Sequence, residues 1–293
     1  MASLLRLFTL TLLAMVAFAA NSVLCRLALD QTSIDAASFT SIRLIAGAAV
    51  LGLIVCLRQR GQGFKTRGSW PSALALFTYA AGFSFAYISL PAATGALLLF
   101  GSVQISMIGY GIAKGERTSS LQKTGLVLAL VGLTVLLLPG ASAPSLAGAS
   151  LMVVAGIAWA VYSLRGKSHA GDPTGMTAGN FLRTIPFTLV LSAALVESFS
   201  VDSLGIIYAI ASGGIASGLG YALWYAALPK LQAMTAASVQ LSVPVITALG
   251  GALFLDEQIT LQMVLASTAI LGGIALVVRT ADMDGVGRRA TKN

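Results

Sequence analysis

Residues 14–21 read Ala-Met-Val-Ala-Phe-Ala-Ala-Asn, and residues 155–162 read Ala-Gly-Ile-Ala-Trp-Ala-Val-Tyr. Overlaid at a shift of 141, they place Ala14 on Ala155, Ala17 on Ala158, Phe18 on Trp159 and Asn21 on Tyr162. The same shift carries Gly109 onto Gly250, Glu116 onto Glu257 and Gly132 onto Gly273. In between it slips to 138, where Tyr87, Leu90 and Pro91 meet Tyr225, Leu228 and Pro229. The chain thus reads as two copies of one unit, residues 1–140 and 141–293.

A helix needs about 20 mostly apolar residues to cross the hydrocarbon core. Ten stretches qualify, near 4–28, 36–57, 70–90, 93–113, 121–138, 145–164, 175–197, 202–226, 232–254 and 260–279. Five per copy is odd, so the second copy enters the membrane from the opposite side. The expected fold is all-α and integral to the membrane, with ten transmembrane helices as two inverted five-helix repeats around a central cavity. Inverted repeats around a midplane site are common in secondary transporters.

Composition agrees. Hydrophobic residues make up 57% and charged residues 10%, and the mean hydropathy is +0.88, whereas about a quarter of an ordinary soluble domain is charged. The net charge of +8 is a topology signal, and no nucleic-acid partner is expected. With a cytoplasmic N-terminus, 15 of the 18 Lys and Arg face the cytoplasm, among them Arg58, Arg60, Lys65, Arg67, Lys114, Arg117, Lys123, Arg165 and Lys167. The opposite loops hold Asp30, Asp35, Glu197, Asp202, Asp256 and Glu257, with Arg26 the one nearby cation. By the positive-inside rule both termini are cytoplasmic and the protein is multi-pass. Arg6, the apolar run after it and Ala17-Phe18-Ala19 mimic a signal peptide, but the run continues to Leu29 and has a counterpart around Trp159, so an uncleaved first helix is expected. The Arg288–Lys292 tail reads as a disordered basic end near anionic lipid. Cys25 and Cys56 fall near opposite membrane faces and should stay free thiols.

Enzyme chemistry is poorly served. The sequence has no G-x-x-x-x-G-K-[ST], no H-E-x-x-H and no Cys/His cluster, so no P-loop, metal or other cofactor is expected. The one histidine, His169, falls in a predicted loop beside Asp172, out of reach of any intramembrane serine. No carboxylate falls near the midplane, where proton-coupled carriers usually keep a relay. Facilitated transport is the expectation from that pattern.

Residues for a solute pathway remain. Tyr79, Phe83 and Tyr87 share one face of segment three; Ser217, Tyr221 and Tyr225 match them in segment eight, with Trp224 alongside. Phe18 and Asn21 in segment one are answered by Trp159 and Tyr162 in segment six. Small residues, aromatics and one amide suit a partly apolar, mid-sized solute. For Tyr87, Trp224 and Tyr225, near segment ends, an interfacial aromatic belt fits equally well. Gln104 and Gln240, near mid-segment, must face protein or water, as site-lining groups or as helix–helix hydrogen bonds. Pro244 is a candidate gating hinge. Arg43 and Arg183 stand at near-equivalent positions, each about eight residues or roughly 12 Å from a helix end. Snorkelling to the interface is the favoured reading for both, ahead of recognition of a substrate carboxylate. Gly214 and Gly218 have small-xxx-small spacing, which lets helices approach closely.

The stretch from Trp224 through Leu228-Pro229, Val239–Pro244 and Leu255-Asp256-Glu257 to Gly272-Gly273 resembles the second EamA repeat of the drug/metabolite transporter superfamily. Tyr87 through Leu90-Pro91 and Gly115-Glu116-Arg117 to Gly132 resembles the first repeat more loosely. Phe18-Ala19-Ala20-Asn21 is similar to that family's Trp-Gly-x-Asn opening, with Phe for Trp and Ala for Gly, and Trp159-Ala160-Val161-Tyr162 is similar to its second-half equivalent. Within the superfamily the chain looks most like the bacterial aromatic amino-acid exporters. That resemblance implies ten helices, a central cavity and export of aromatic and other neutral amino acids across the inner membrane, with broad specificity and alternating access. Its partners would be a small solute and the lipid bilayer, with a monomer as the working state. Other small metabolites such as nucleobases or drugs, or a channel-like facilitator, are the alternatives.

Overall fold

The computed structural model describes residues 2–58, 67–115, 119–137, 144–167, 172–227, 239–240 and 242–290. Helices run Ala2–Gln31 (α1), Ala36–Arg58 (α2), Trp70–Tyr87 (α3), Ala92–Ala113 (α4), Ser120–Leu137 (α5), Leu146–Lys167 (α6) and Pro173–Ala194 (α7). They continue with Ser203–Ala227 (α8), Ser242–Phe254 (α9) and Leu261–Ala290 (α10). Among the described residues there is no strand. The predicted segments fall on these helices, although the start of segment nine, with His169, Glu116 and Leu228-Pro229, lies outside the described residues. The basic end is a correction: α10 stays helical through Arg288 to Ala290 where a disordered tail was expected.

Among the described residues, five helices are long and apolar enough to cross a membrane: Leu5–Gln31, Ala36–Arg58, Ala92–Ala113, Leu146–Gly166 and Ser203–Ala227. The stretches Ser120–Leu136, Ser242–Phe254 and Leu261–Leu276 are apolar but shorter. α3 and α7 fall short for a different reason: they carry polar side chains that are buried inside the bundle, Ser72, Tyr79 and Ser84 on one, Thr177, Asn180 and Thr184 on the other. Outward faces are apolar in the manner of a lipid-exposed bundle, with Leu5, Phe8, Leu189, Val190, Ile215, Leu253 and Phe254 all well exposed.

The helix pairing has a regular pattern. α3 packs on α6 while α1 packs on α8; α4 packs on α6 while α1 packs on α9; α2 packs on α8 while α3 packs on α7. α2 also pairs with α7, and α5 with α10. Small residues allow these approaches. A Cβ on Gly273 of α10 would strike the Gly125 carbonyl of α5, and one on Gly132 of α5 would lie 2.8 Å from Ile270. A Cβ on Gly82 of α3 would meet Leu151 and Ala155, and one on Gly220 of α8 would lie 3.0 Å from Ala17. Gly213 of α8 is pressed onto the Arg43 carbonyl of α2, leaving no room for any side chain.

One departure from regular helix bears on the site. The middle of α8, Ala211–Leu219, is π-helical. π-helical turns are rare and cluster at functional sites, and this one carries Ser212 and Ser217.

Candidate functional site

The centre of the bundle holds a cavity of about 20 Å³, lined by Phe18, Asn21 and Ser22 of α1, Tyr79 and Phe83 of α3, Leu99 and Phe100 of α4, Trp159 of α6, Ala216, Ser217 and Tyr221 of α8, and Gln240. That is room for one water molecule. A larger cleft of about 270 Å³ between α4, α9 and α10 is lined almost wholly by apolar side chains and offers no convergent polar groups. Chemistry therefore points to the smaller space.

Eight of the expected residues, Phe18, Asn21, Tyr79, Phe83, Trp159, Ser217, Tyr221 and Gln240, converge on that cavity. Trp159 is the hub of its rings: 4.8 Å from Tyr79, 5.2 Å from Tyr221 and 5.6 Å from Tyr162, centroid to centroid. Phe18 meets Tyr221 edge-on at 5.8 Å, and Phe83 lies 5.5 Å from Tyr79. Spacings of 4.5–7 Å are those of favourable aromatic pairs.

A polar chain crosses the rings. Ser212 Oγ donates to Asn21 Oδ1 at 2.6 Å, and Asn21 Nδ2 donates to the Tyr79 hydroxyl at 3.3 Å. The intramembrane hydroxyl of Tyr79 thus finds its partner on another helix. Tyr162 is buried one step behind the cavity, where its hydroxyl accepts from Asn180 Nδ2 at 3.5 Å. Asn180 in turn accepts from the Ser69 amide at 3.0 Å, tying α6, α7 and the start of α3 together. Ser217 Oγ is buried in the cavity wall and has no partner among the described residues. Ser212 and Asn180 carried no sequence signal beyond being polar residues in apolar runs.

The other expectations divide. Gln104 is buried on α4 but does not line the cavity. Pro244 is buried at the wall of the larger cleft, a few residues after the helical Val239 and Gln240, and Ser242 Oγ bonds back to the Val239 carbonyl at 2.6 Å. Tyr87 and Trp224 are buried, so neither is a lipid-facing belt residue; the Tyr87 hydroxyl donates to the Ala92 carbonyl at 3.2 Å. Cys25 and Cys56 are free thiols, buried and exposed respectively. Arg183 is half-buried and bonds the Gly179 carbonyl of its own helix at 2.9 Å. Arg43 overturns the snorkelling expectation: it is 2% exposed, with its guanidinium 4.8 Å from the Phe83 ring centre and 5.6 Å from that of Tyr79.

One end of the bundle is tied across helices. Arg26 of α1 donates to the Tyr87 and Ile88 carbonyls at 3.0 and 3.1 Å and pairs with Asp30 at 2.8 Å. Its Nε lies 3.6 Å from Glu257. Glu257 follows Asp256, whose φ of 53° is the left-handed turn that Asp tolerates. This turn aims the carboxylate at the N-terminus of α4, where it accepts from the Ala92 amide at 2.8 Å. Burial pushes the Glu257 pKa up from its ordinary value, opposed by that amide and by Arg26.

A bundle of apolar helices around a small aromatic cavity, with polar groups converging from several helices, is the architecture of a membrane carrier. Residues 146–279 match the EamA-like transporter family. An uncharacterized protein of Pseudomonas aeruginosa is 52% identical over 273 residues, covering 93% of this chain and 94% of that one. A "Probable amino-acid metabolite efflux pump" of Escherichia coli is 27% identical over 64% of this chain and 68% of its own. The Escherichia coli threonine/homoserine exporter RhtA is 32% identical over 52% of this chain and 54% of its own. A crystal structure shares the fold with a TM-score of 0.63 at 21% identity, over 90% of this chain and 97% of that one.

Proposed function

We propose that this protein is an exporter of neutral amino acids, aromatic ones included, working by alternating access in the bacterial inner membrane with both termini cytoplasmic. The observation that carries the reading is the convergence of Asn21, Tyr79, Trp159, Ser217 and Tyr221 on one central cavity from four helices. Rings on its walls suit an apolar or aromatic side chain, and the Ser212–Asn21–Tyr79 chain and Ser217 suit a polar head. Two relatives are named for amino-acid efflux, which supports the same solute class.

The helix pairings support two inverted halves, residues 1–140 and 141–293. The main pairings between halves exchange with one another when every helix is replaced by the one five further along or back: α3–α6 with α1–α8, α4–α6 with α1–α9, and α2–α8 with α3–α7, while α2–α7, α4–α9 and α5–α10 map onto themselves. Gly132 and Gly273, which match in the sequence repeat, both sit in the self-paired α5–α10 contact. Rocking of these halves would open the cavity alternately, with the Pro244 region as a hinge.

Counterflow in liposomes tests the function. Purified protein is reconstituted with unlabelled Phe, Trp, Met or Thr inside and labelled Phe outside. Saturable uptake accelerated by internal amino acid is expected. Non-saturable flux without acceleration would indicate a channel, and absence of exchange, with nucleobases or drugs exchanging instead, would overturn the amino-acid assignment.

A further inference from the structure

Two arginines stand inside apolar helices, and the structure treats them differently. Arg183 bonds its own helix. Arg43 is enclosed, and among the described residues its buried Nη1 has no hydrogen-bond partner and no carboxylate pairs with it. A charge in a membrane interior is expensive and by default marks a functional site. The faces of Phe83 and Tyr79 offset part of the cost through cation–π attraction, but a buried ion without counter-charge remains strongly penalised. Its position is fixed, because the Arg43 backbone is clamped against Gly213.

The two rings beneath the guanidinium are themselves walls of the central cavity. A solute parting them meets one fixed cation, an amide (Asn21) and a hydroxyl (Ser217), while none of the residues lining the cavity is acidic. The electrostatics are one-sided: a carboxylate gains a counter-charge there, and an ammonium gains none. Resting on the exporter reading above, we propose that Arg43 is the carboxylate anchor of the transport site. The site would then select its solutes as carboxylates carrying an apolar or aromatic body, with the amino group dispensable. Its substrate class extends to aromatic monocarboxylates that lack an amino group and excludes the corresponding amines.

Three probes with the same ring decide this: L-phenylalanine, 3-phenylpropionate and phenethylamine, each tested as a competitor in the counterflow assay and as a thermal stabiliser of the purified protein. The two carboxylates should compete and stabilise, and the amine should do neither. Arg43→Gln should weaken the carboxylates about tenfold or more, as expected on losing a charge-assisted hydrogen bond, and Arg43→Lys should recover part of the loss. The wild-type comparison of phenylpropionate with phenethylamine stands even if Arg43→Gln does not fold. Phenylalanine exchange that phenethylamine inhibits as well as phenylpropionate does would overturn the anchor alone. Unchanged phenylpropionate binding by Arg43→Gln would do the same. Stabilisation by phenylpropionate without amino-acid exchange would overturn the exporter reading alone, and no response to either carboxylate would overturn both.

Discussion

Asp35 and Asp202 hold each other's loops. Asp35 Oδ1 accepts from the Ala37 and Ser38 amides at 2.9 Å, capping α2, while its Oδ2 accepts from the Ser200 amide at 3.0 Å. Asp202 Oδ1 accepts from the Gly205 amide at 2.6 Å, capping α8, while its Oδ2 accepts from the Ser33 amide at 3.0 Å. Each carboxylate thus serves its own helix and the segment before the other one, fixing the starts of the two helices whose backbones meet at Arg43 and Gly213.

Burial pushes the Asp35 carboxyl up, but the Ser38 hydroxyl and the Ser200, Ser38 and Ala37 amides together hold it below its ordinary pKa; the Ser33 and Gly205 amides hold Asp202 below its own. A lowered folded-state pKa contributes stability that is present above the unfolded value, about 4. It is lost as pH falls through the folded value. Thermal melts of detergent-purified protein should therefore drop as pH is taken from 5 to about 3, and less so in Asp35→Asn. Asp35→Ala should cost about 1 kcal/mol at neutral pH, the usual worth of an N-cap.

Neighbouring glycines in α10 provide a packing test. A Cβ on Gly272 meets nothing within 4 Å, whereas one on Gly273 meets the α5 backbone, with the Ala129 nitrogen at 2.7 Å. Gly272→Ala should be neutral or stabilising by up to about 1 kcal/mol through helix propensity. Gly273→Ala should destabilise by about 1–3 kcal/mol, the cost of overpacking. Melting temperatures of the two variants side by side decide it.

Asn21→Leu should remove exchange activity while leaving the fold. The substitution strands the Tyr79 and Ser212 hydroxyls, at about 1–3 kcal/mol for a buried group left unpaired, well below what unfolds a bundle of this size. A monodisperse variant with a melting point lowered by several degrees and labelled-Phe counterflow at background is the expected outcome. Full exchange would remove Asn21 from the pathway.

Glu257→Gln keeps a side chain that can accept from Ala92 but loses the charge facing Arg26. Faster hydrogen exchange at the start of α4, residues 92–95, is expected at neutral pH. In the wild type acidification should not loosen this region, because burial holds the Glu257 pKa up and the closed state takes up the proton more readily than the open one. An exchange profile indifferent to the substitution would show the tie to be unimportant.

Helix positions were legible because the hydrocarbon core imposes its length on every segment. The cavity was legible because aromatics matched across the repeat at the same register. Arg43 was not: the distance to the helix end is readable from residue spacing, but whether the guanidinium is enclosed against Phe83 and Tyr79 is a property of packing. Ser212 and Asn180 were missed for the same reason, since a polar residue in an apolar run shows that it needs a partner without showing which. The π-helical turn of α8 was hidden as well, because Gly213-Gly214 reads equally as close packing.

The 20 Å³ at the centre has a bearing on the cell's energy supply. Room for one water among Phe18, Trp159, Tyr221 and their neighbours is too short a file to relay protons from one side to the other. In this conformation the ring cluster therefore closes the centre of the bundle to protons, and a carrier held in it need not drain the gradient on which the rest of the cell depends.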